Sequence, residues 1–291
     1  MADDGPVVVV GASGSVGGHL LATAAPDLPM LGTYLTNPTP GCVRLDAADA
    51  ASVAALTAEI TPRAYVICAA VTSAETCETR PELSYRTNVR VPAVLAEVCA
   101  DRGIPLVYLS TDYVFDGTAG PYGEDADTAP VNAYGRDKAQ GEKLVLAGGD
   151  HAAVLRTSVV YGGARPGAVD QIRHVLGLGQ RIALSAEHQN TPTDAADLAW
   201  LVRRVLASGA GGVYHAAGPE TMTRFDLGTA VARACGLPVD LVEPLTADAA
   251  AAAGKAPRPR QCGLRIDRAV ADFGYDPVGL REGLSRCYPD G

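Results

Sequence analysis

No stretch of this 291-residue sequence approaches the roughly 18 consecutive apolar residues that a bilayer span needs, so no membrane-crossing helix is expected. Lysine is scarce: Lys138, Lys143 and Lys255 are the only three. With 24 basic against 33 acidic side chains and a formal charge of −9, the chain offers no basic face of the kind that tracks nucleic-acid phosphates. The seven cysteines are an odd number and form no C-x-x-C pair or zinc-like cluster with histidine. They read as reduced thiols, and no metal is expected. The opening Met1-Ala2-Asp3-Asp4 is acidic where a signal peptide would be basic, which leads to the expectation of a cytoplasmic protein.

What the sequence does hold, at 47% hydrophobic residues, is enough apolar surface for one large core or two unequal ones. Over the first 160 residues short β-branched runs alternate with alanine-rich amphipathic stretches, the pattern of βαβ units around a parallel sheet. The composition predicts strands at 6–10, 30–34, 42–45, 64–69, 106–110 and 153–158, and apolar spacing predicts helices at 49–60, 89–102 and 134–146. Beyond about 162 the pattern loosens to helices near 194–207 and 224–235, a strand at 213–216 and a Pro/Ala/Gly-rich stretch from 245 to 263. This half is expected to pack on the sheet as a smaller lobe without a core of its own. Residues 247–253 read equally as helix or loop.

Directly after the first strand stands Gly11-x-x-Gly14-x-x-Gly17. A glycine-rich strand-to-helix turn lets the backbone approach a pyrophosphate, whose charge then meets the N–H groups of the helix N-terminus. The fold expected is therefore α/β, a Rossmann-type doubly wound parallel sheet with its ligand at the carboxyl ends of the strands. After the second strand no Asp or Glu stands where a ribose 2′-hydroxyl would want one, which leans toward a phosphorylated ribose. Thr36 and Asn37 can hydrogen-bond a 2′-phosphate, or simply form a solvated turn before Pro38. Asp46 can accept from an adenine amino group or cap the helix that begins near Asp49.

Tyr134-x-x-x-Lys138 puts a phenol and an ammonium on one helical face, an arrangement that lowers a tyrosine pKa toward the range useful for proton transfer. Three lysines and 11 tyrosines would give this spacing by chance only about 0.1 times, so the pair carries weight. Some 24 residues earlier, Ser110 and Thr111 end an apolar strand, where a hydroxyl can steady a carbonyl or merely form a turn.

On these motifs, together with CAAVTSAETCE, STDYVFDG, PVNAYGRDKAQGEK, LRTSVVYGG, HQNTPTDAADLA, GGVYHAAGPETMTRFDLGTAVARACGLP and APRPRQCGLRID, nearly the whole chain resembles the extended short-chain dehydrogenase/reductases. Within them it resembles the dTDP-4-dehydrorhamnose reductase family and its relative, the regulatory β subunit of methionine adenosyltransferase. The resemblance implies a dinucleotide-binding part at 1–161 and a smaller substrate-binding lobe at 162–291, partly interleaved with the first. It implies Thr111, Tyr134 and Lys138 as the catalytic trio, the last two also touching the cofactor. The cofactor NADP(H), or alternatively NAD(H), would meet Gly11, Gly14, Ser15, Val16 and Gly17 at the phosphates, Asp46 and Ala47 at the adenine, and Ala70, Val71 and Thr72 beside the nicotinamide ribose. Asp112 and Tyr113, with Thr111, fall at substrate-contacting positions.

Two departures from the family stand out. Val159 occupies the place of a substrate-gripping Trp, and Ile67-Cys68 replaces Asn-Ala in the family's V-N-A-A-A run. Gln189, with His188, is expected to line the sugar-nucleotide cleft or begin a helix; Arg258 and Arg260 are expected to clamp a diphosphate or lie in an exposed loop. The implied activity is NADPH-dependent reduction of a keto group, C4, of a nucleotide-activated deoxysugar. The alternative is a non-catalytic NADP-binding regulatory subunit of a partner enzyme. A homodimer is a further expectation.

Overall fold

A computed structural model describes residues 5–289; the acidic Met1-Ala2-Asp3-Asp4 lies outside them. Four consecutive valines make the first strand, β1 (Val7–Val10), and all four are buried, because helices cover both faces of the sheet and leave no wet side for polar residues to occupy. Strands β2 (Met30–Tyr34), β3 (Val43–Arg44), β4 (Ala64–Ile67), β5 (Leu106–Thr111) and β6 (Ala152–Thr157) follow, and the strand Gly212–Ala216 joins beyond β6. Every neighbouring pair is parallel, in the spatial order Gly212–Ala216, β6, β5, β4, β1, β2, β3. The order reverses between β1 and β4, and at such a switch point the crevice above the strand ends is open to a ligand.

Alternation along β1 divides the core. Val7 and Val9 pack with Leu198, Val202 and Val205 of helix Ala195–Ser208, while Val8 and Val10 face Val53 of helix Ala50–Ile60 and Leu95 of helix Val91–Arg102. Side-chain caps start the helices where the sequence offers them. Asp49 accepts from Ala51 and Ser52 N–H, Asn132 from Gly135 N–H at 2.8 Å, and Asp194 from Ala196 N–H at 2.8 Å.

The strand expected over 64–69 stops at Ile67 because both Cys68 and Ala69 turn their N–H groups onto the single Val10 carbonyl, each at 2.9 Å. The helix expected from 89 is preceded by a π-helical turn, Arg86–Arg90. Residues 247–253, open between helix and loop, form helix Ala247–Ala252, capped by Thr246.

The C-terminal half does not lack a core of its own. Tyr161, Val169, Ile172, Leu176, Leu227 and Val231 are buried together in a cluster separate from the two faces of the sheet. Helices Ala168–Gly177 and Arg224–Ala234 supply amphipathic faces that need no sheet to bury them. Around this cluster run three two-stranded ladders: Val160–Tyr161 with Thr193–Asp194, Gln189–Asn190 with Met222–Thr223, and Ile182–Ser185 with Val242–Leu245.

One buried ion pair ties the helix Ala133–Leu146 to the sheet. Glu142 receives Arg156 of β6 in a forked contact, Nη2 to Oε2 at 2.8 Å and Nε to Oε1 at 3.0 Å, with the two side chains 3% and 5% exposed. Desolvating both charges is costly, and each is tolerable only while the other is present. Replacement by Glu142→Leu strands the guanidinium, and urea denaturation is expected to show a loss of about 3–5 kcal/mol. A loss under about 1 kcal/mol would mean that solvent reaches the pair.

Candidate active site

The glycine turn after β1 is shaped by what cannot fit in it. Gly11 has φ +87°, and a Cβ there would stand 2.6 Å from the Ala69 nitrogen. A Cβ on Gly17 would stand 2.6 Å from the Gly11 carbonyl oxygen. Helix Ser15–Ala22 follows with Gly14 at its cap and no capping side chain, so the N–H groups of Ser15, Val16 and Gly17 remain to meet an anion. The turn therefore fits a dinucleotide pyrophosphate. The Ser15 hydroxyl points elsewhere, donating to the Arg165 carbonyl at 3.1 Å, and only its backbone is presented. The turn also touches the other half of the chain here, since Ala164 N–H donates to the Ser15 carbonyl at 3.0 Å.

Thr36 and Asn37 are exposed past the end of β2, with only the Asn37 carbonyl engaged, by the Thr39 hydroxyl at 3.1 Å. Asp46 does not cap the helix at 50; Asp49 does. Asp46 instead accepts from Ala48 N–H at 3.1 Å and pairs with Arg86, a partner the sequence gave no reason to suspect. Ala47 is buried beside it. Ala70, Val71 and Thr72 leave the end of β4 as an irregular segment. Asn88, also unsuspected, clasps that segment from both sides: its Oδ1 accepts from Val71 N–H and its Nδ2 donates to the Val71 carbonyl, both at 3.0 Å.

Thr111, Tyr134 and Lys138 come together at the carboxyl end of β5, and all three are buried. Ser110 does not join them. Successive strand residues face opposite ways, and its hydroxyl donates instead to Glu142. Lys138 is 1% exposed, donates to the Leu109 carbonyl at 2.7 Å and lies 3.8 Å over the Tyr108 ring. Burial brings its pKa down to about 7, against the upward pull of Glu142 and Cys68. Burial likewise pushes the Tyr134 phenol well above its ordinary value, although a hydrogen bond with Thr111 opposes the shift. The expected lowering of the phenol by its lysine neighbour is thus not what this arrangement does. Desolvation dominates both groups, and it moves the phenol further from ionisation rather than toward it.

On the substrate side the expected residues separate. The Tyr113 ring meets Tyr134 edge-on at 5.6 Å and His188 at 5.4 Å. Arg258 is held by Glu75, Nη2 to Oε1 at 2.6 Å, and hydrogen-bonds Tyr113, so it faces the site. Arg260 pairs with Glu187 at 3.5 Å and is largely exposed, so the two arginines do not act as one clamp. Gln189 is fixed through its backbone, N–H to the Arg260 carbonyl at 2.7 Å. His188 neither begins a helix nor carries charge: it is buried, paired with Asn190 at 3.0 Å, and its pKa is brought down to about 3 by burial and by Arg224 and Arg258. Val159 holds φ +25°, a strained conformation for a β-branched residue, and packs toward the C-terminal core. Asp112 is 2% exposed and wholly engaged by protein groups, Ser158 Oγ to its Oδ2 at 2.6 Å and Thr111 Oγ1 to its Oδ1 at 3.1 Å. It is a partner of Thr111 rather than an open contact surface.

Comparison with known proteins finds relatives over nearly the whole chain. Residues 5–290 match the family model described as RmlD substrate binding domain. The chain belongs to that family. A dTDP-4-keto-6-deoxy-D-glucose reductase of Streptomyces niveus is 34% identical over 275 residues, 93% of this chain and 92% of the relative. Methionine adenosyltransferase 2 subunit beta of Xenopus laevis is 33% identical over 268 residues, 88% of this chain and 79% of the relative. A crystal structure of a dTDP-4-dehydrorhamnose reductase from Clostridium acetobutylicum superposes with a TM-score of 0.89 at 26% identity, covering 98% of each chain. Cys68, one of the two departures from the family pattern, packs against the sheet core with its thiol pushed up to about 12 by burial, which suits a small filler rather than a reactive group.

The glycine turn is open to direct test. Gly17→Ala must push the Gly11 carbonyl out of the turn, and dinucleotide affinity by fluorescence titration is expected to fall about tenfold or more. An unchanged affinity would show that the turn can widen at no cost.

Proposed function

We propose that this protein is an NADPH-dependent reductase of a keto group, C4, on a nucleotide-activated deoxysugar. The observation that carries the reading is the convergence of buried Thr111, Tyr134 and Lys138 at the carboxyl end of β5, at the same end of the sheet as the uncapped glycine turn after β1. The relatives named for dTDP-sugar reduction, at 34% identity over most of the chain, support it. A Bacillus anthracis structure of the same fold is described in complex with NADP, and no carboxylate follows Tyr34 to repel a 2′-phosphate; both favour NADPH over NADH.

Bound NADPH supplies the hydride. Tyr134 would give its proton to the oxygen that becomes an alkoxide, Thr111 would hydrogen-bond the same oxygen, and Lys138 would hold the ribose hydroxyls. Thr36 and Asn37 would meet the 2′-phosphate, Asp46 and Ala47 the adenine, and Ala70 to Thr72 the ribose side of the nicotinamide. The described residues from 162 on, apart from the strand Gly212–Ala216 and helices Ala195–Ser208 and Asp267–Phe273 that pack with the sheet, form the proposed sugar-nucleotide lobe, with Val159, Gln189 and Arg258 at its edge. No described helix is long and apolar enough to cross a membrane, and all seven cysteines are unpaired, which suits the proposed cytoplasmic setting. A homodimer belongs to the same proposal.

The regulatory-subunit reading rests on the 33% identity to the methionine adenosyltransferase β subunit. Turnover separates the two. Purified protein with NADPH and a panel of 4-keto nucleotide sugars is expected to oxidise the cofactor with at least one of them, and silence across the panel would favour the regulatory reading. With a responsive sugar, Tyr134→Phe is expected to keep cofactor affinity and lose about 10² to 10⁴ in kcat. Turnover within about tenfold of the parent would remove Tyr134 from the proton-donor role.

Val159 generates a separate expectation. Loss of an aromatic platform is worth on the order of 1–3 kcal/mol, roughly 10- to 100-fold in affinity. dTDP-4-dehydrorhamnose is therefore expected to be a poor substrate, and Val159→Trp to improve it or block the true one. Efficient turnover of that sugar by the unmodified protein, in steady-state kinetics, would show that other side chains replace the indole.

A further inference from the structure

A single hydrogen has two claimants at the heart of the site. The Thr111 hydroxyl has one hydrogen, and it is donated to Asp112 Oδ1 at 3.1 Å, while the Thr111 oxygen accepts from Tyr113 N–H at 3.2 Å. One lone pair is left on Thr111, facing the Tyr134 phenol with which it hydrogen-bonds. With an ionised Asp112, every hydrogen in the chain Tyr134–Thr111–Asp112 points away from the reacting carbonyl, toward the carboxylate. With a proton on Oδ1 the direction reverses. Asp112 then donates to Thr111, and the Thr111 hydrogen is free for the carbonyl oxygen or for the phenolate that Tyr134 becomes.

We propose that Asp112 is a positioning residue that sets the direction of this hydrogen-bond chain, and that the productive direction requires Asp112 in its protonated form. The inference rests on the reductase reading given above. The surroundings of Asp112 favour the neutral acid. Its carboxyl is buried, with Ser158 Oγ at 2.6 Å from Oδ2, and Ser158 is itself anchored by Thr191 N–H at 3.3 Å. Around it stand the Asn190 amide, the Arg224 guanidinium, the Tyr113 and Tyr134 phenols and the Cys262 thiol, which donates to the Asp112 backbone carbonyl at 3.4 Å. Burial outweighs Ser158, Thr111, Asn190 and Arg224, and raises the Asp112 pKa to about 6.

The sign follows directly. Asp112 is protonated below its folded pKa, so kcat falls as pH rises through about 6. Asp112→Asn mimics the protonated acid: its amide oxygen accepts from Ser158 and its NH2 donates to Thr111 at every pH. It is expected to keep kcat within about threefold of the parent's acid plateau and to erase the limb near pH 6, whereas Asp112→Ala loses both contacts and activity. Ser158→Ala removes a donor that stabilises the carboxylate on Oδ2, and the limb is expected to move to higher pH. An unshifted limb in Asp112→Asn, or an Asn variant as inactive as the Ala variant, overturns the proposal. A readout without turnover keeps the two claims separable: the side-chain carboxyl carbon of Asp112, followed by NMR in the sugar-free protein, is expected to titrate near 6 in the parent and higher in Ser158→Ala. A carboxyl still ionised at about pH 4, close to an ordinary aspartate, overturns the inference whether or not any sugar is reduced.

Discussion

Everything in the site hangs on a polar stripe laid face down on a sheet. Helix Ala133–Leu146 presents Tyr134, Lys138 and Glu142, four residues apart, along the side that packs on β5 and β6, and all three are buried. Groups of this kind survive burial only with partners, and the sheet provides one for each. Thr111 meets Tyr134, the Leu109 carbonyl and the Tyr108 ring take Lys138, and Arg156 with Ser110 takes Glu142. The helix comes close enough because Gly141 has no side chain: a Cβ there would stand 2.6 Å from the Tyr108 hydroxyl and the Asn88 carbonyl. Desolvation then does the electrostatic work, holding a proton on the phenol and loosening one from the lysine.

The same economy of partners connects elements far apart in sequence. The Tyr108 hydroxyl under the lysine donates to the Asn88 carbonyl at 3.1 Å, and the Asn88 amide clasps Val71, so the segment beside the expected nicotinamide is registered to the buried cation through one residue. On the other flank, Asp112 joins Thr111 to Ser158, and Ser158 joins the sheet to Thr191 of the C-terminal half. A shift of either half of the chain is therefore felt at the trio through hydrogen bonds.

Much of this was legible in residues alone. Val7 to Val10 followed by spaced glycines announced a buried strand and a phosphate turn, and the Tyr134/Lys138 spacing put two functional groups on one helical face. The direction of their pKa shifts was not legible, because spacing fixes which groups are neighbours while burial fixes which charge state is tolerated. Asn88 gave no signal either: its role depends on a π-helical turn bringing its amide to a loop 17 residues earlier. The core of the C-terminal half was missed for a related reason. Its apolar residues are spread over separate helices and short strands between 161 and 287, and which amphipathic faces meet one another is set only when the chain is folded.

Val159 shows how the two halves hold a strained point between them. A valine at φ +25° persists only where its neighbours leave it no alternative, at a cost on the order of 1–3 kcal/mol. On one side Ser158 is pinned by its bond to Asp112; on the other the Val159 carbonyl accepts from Thr193 N–H at 3.2 Å, at the foot of the ladder formed by Val160–Tyr161 and Thr193–Asp194. The chain must turn within two residues, Ser158 and Val159, from the end of β6 into the C-terminal lobe, and both ends of that turn are already committed, one to the hydroxyl network around Thr111 and one to the lobe's ladder. The strain at residue 159 is therefore a property of the path of the chain, held from both ends by hydrogen bonds to other elements.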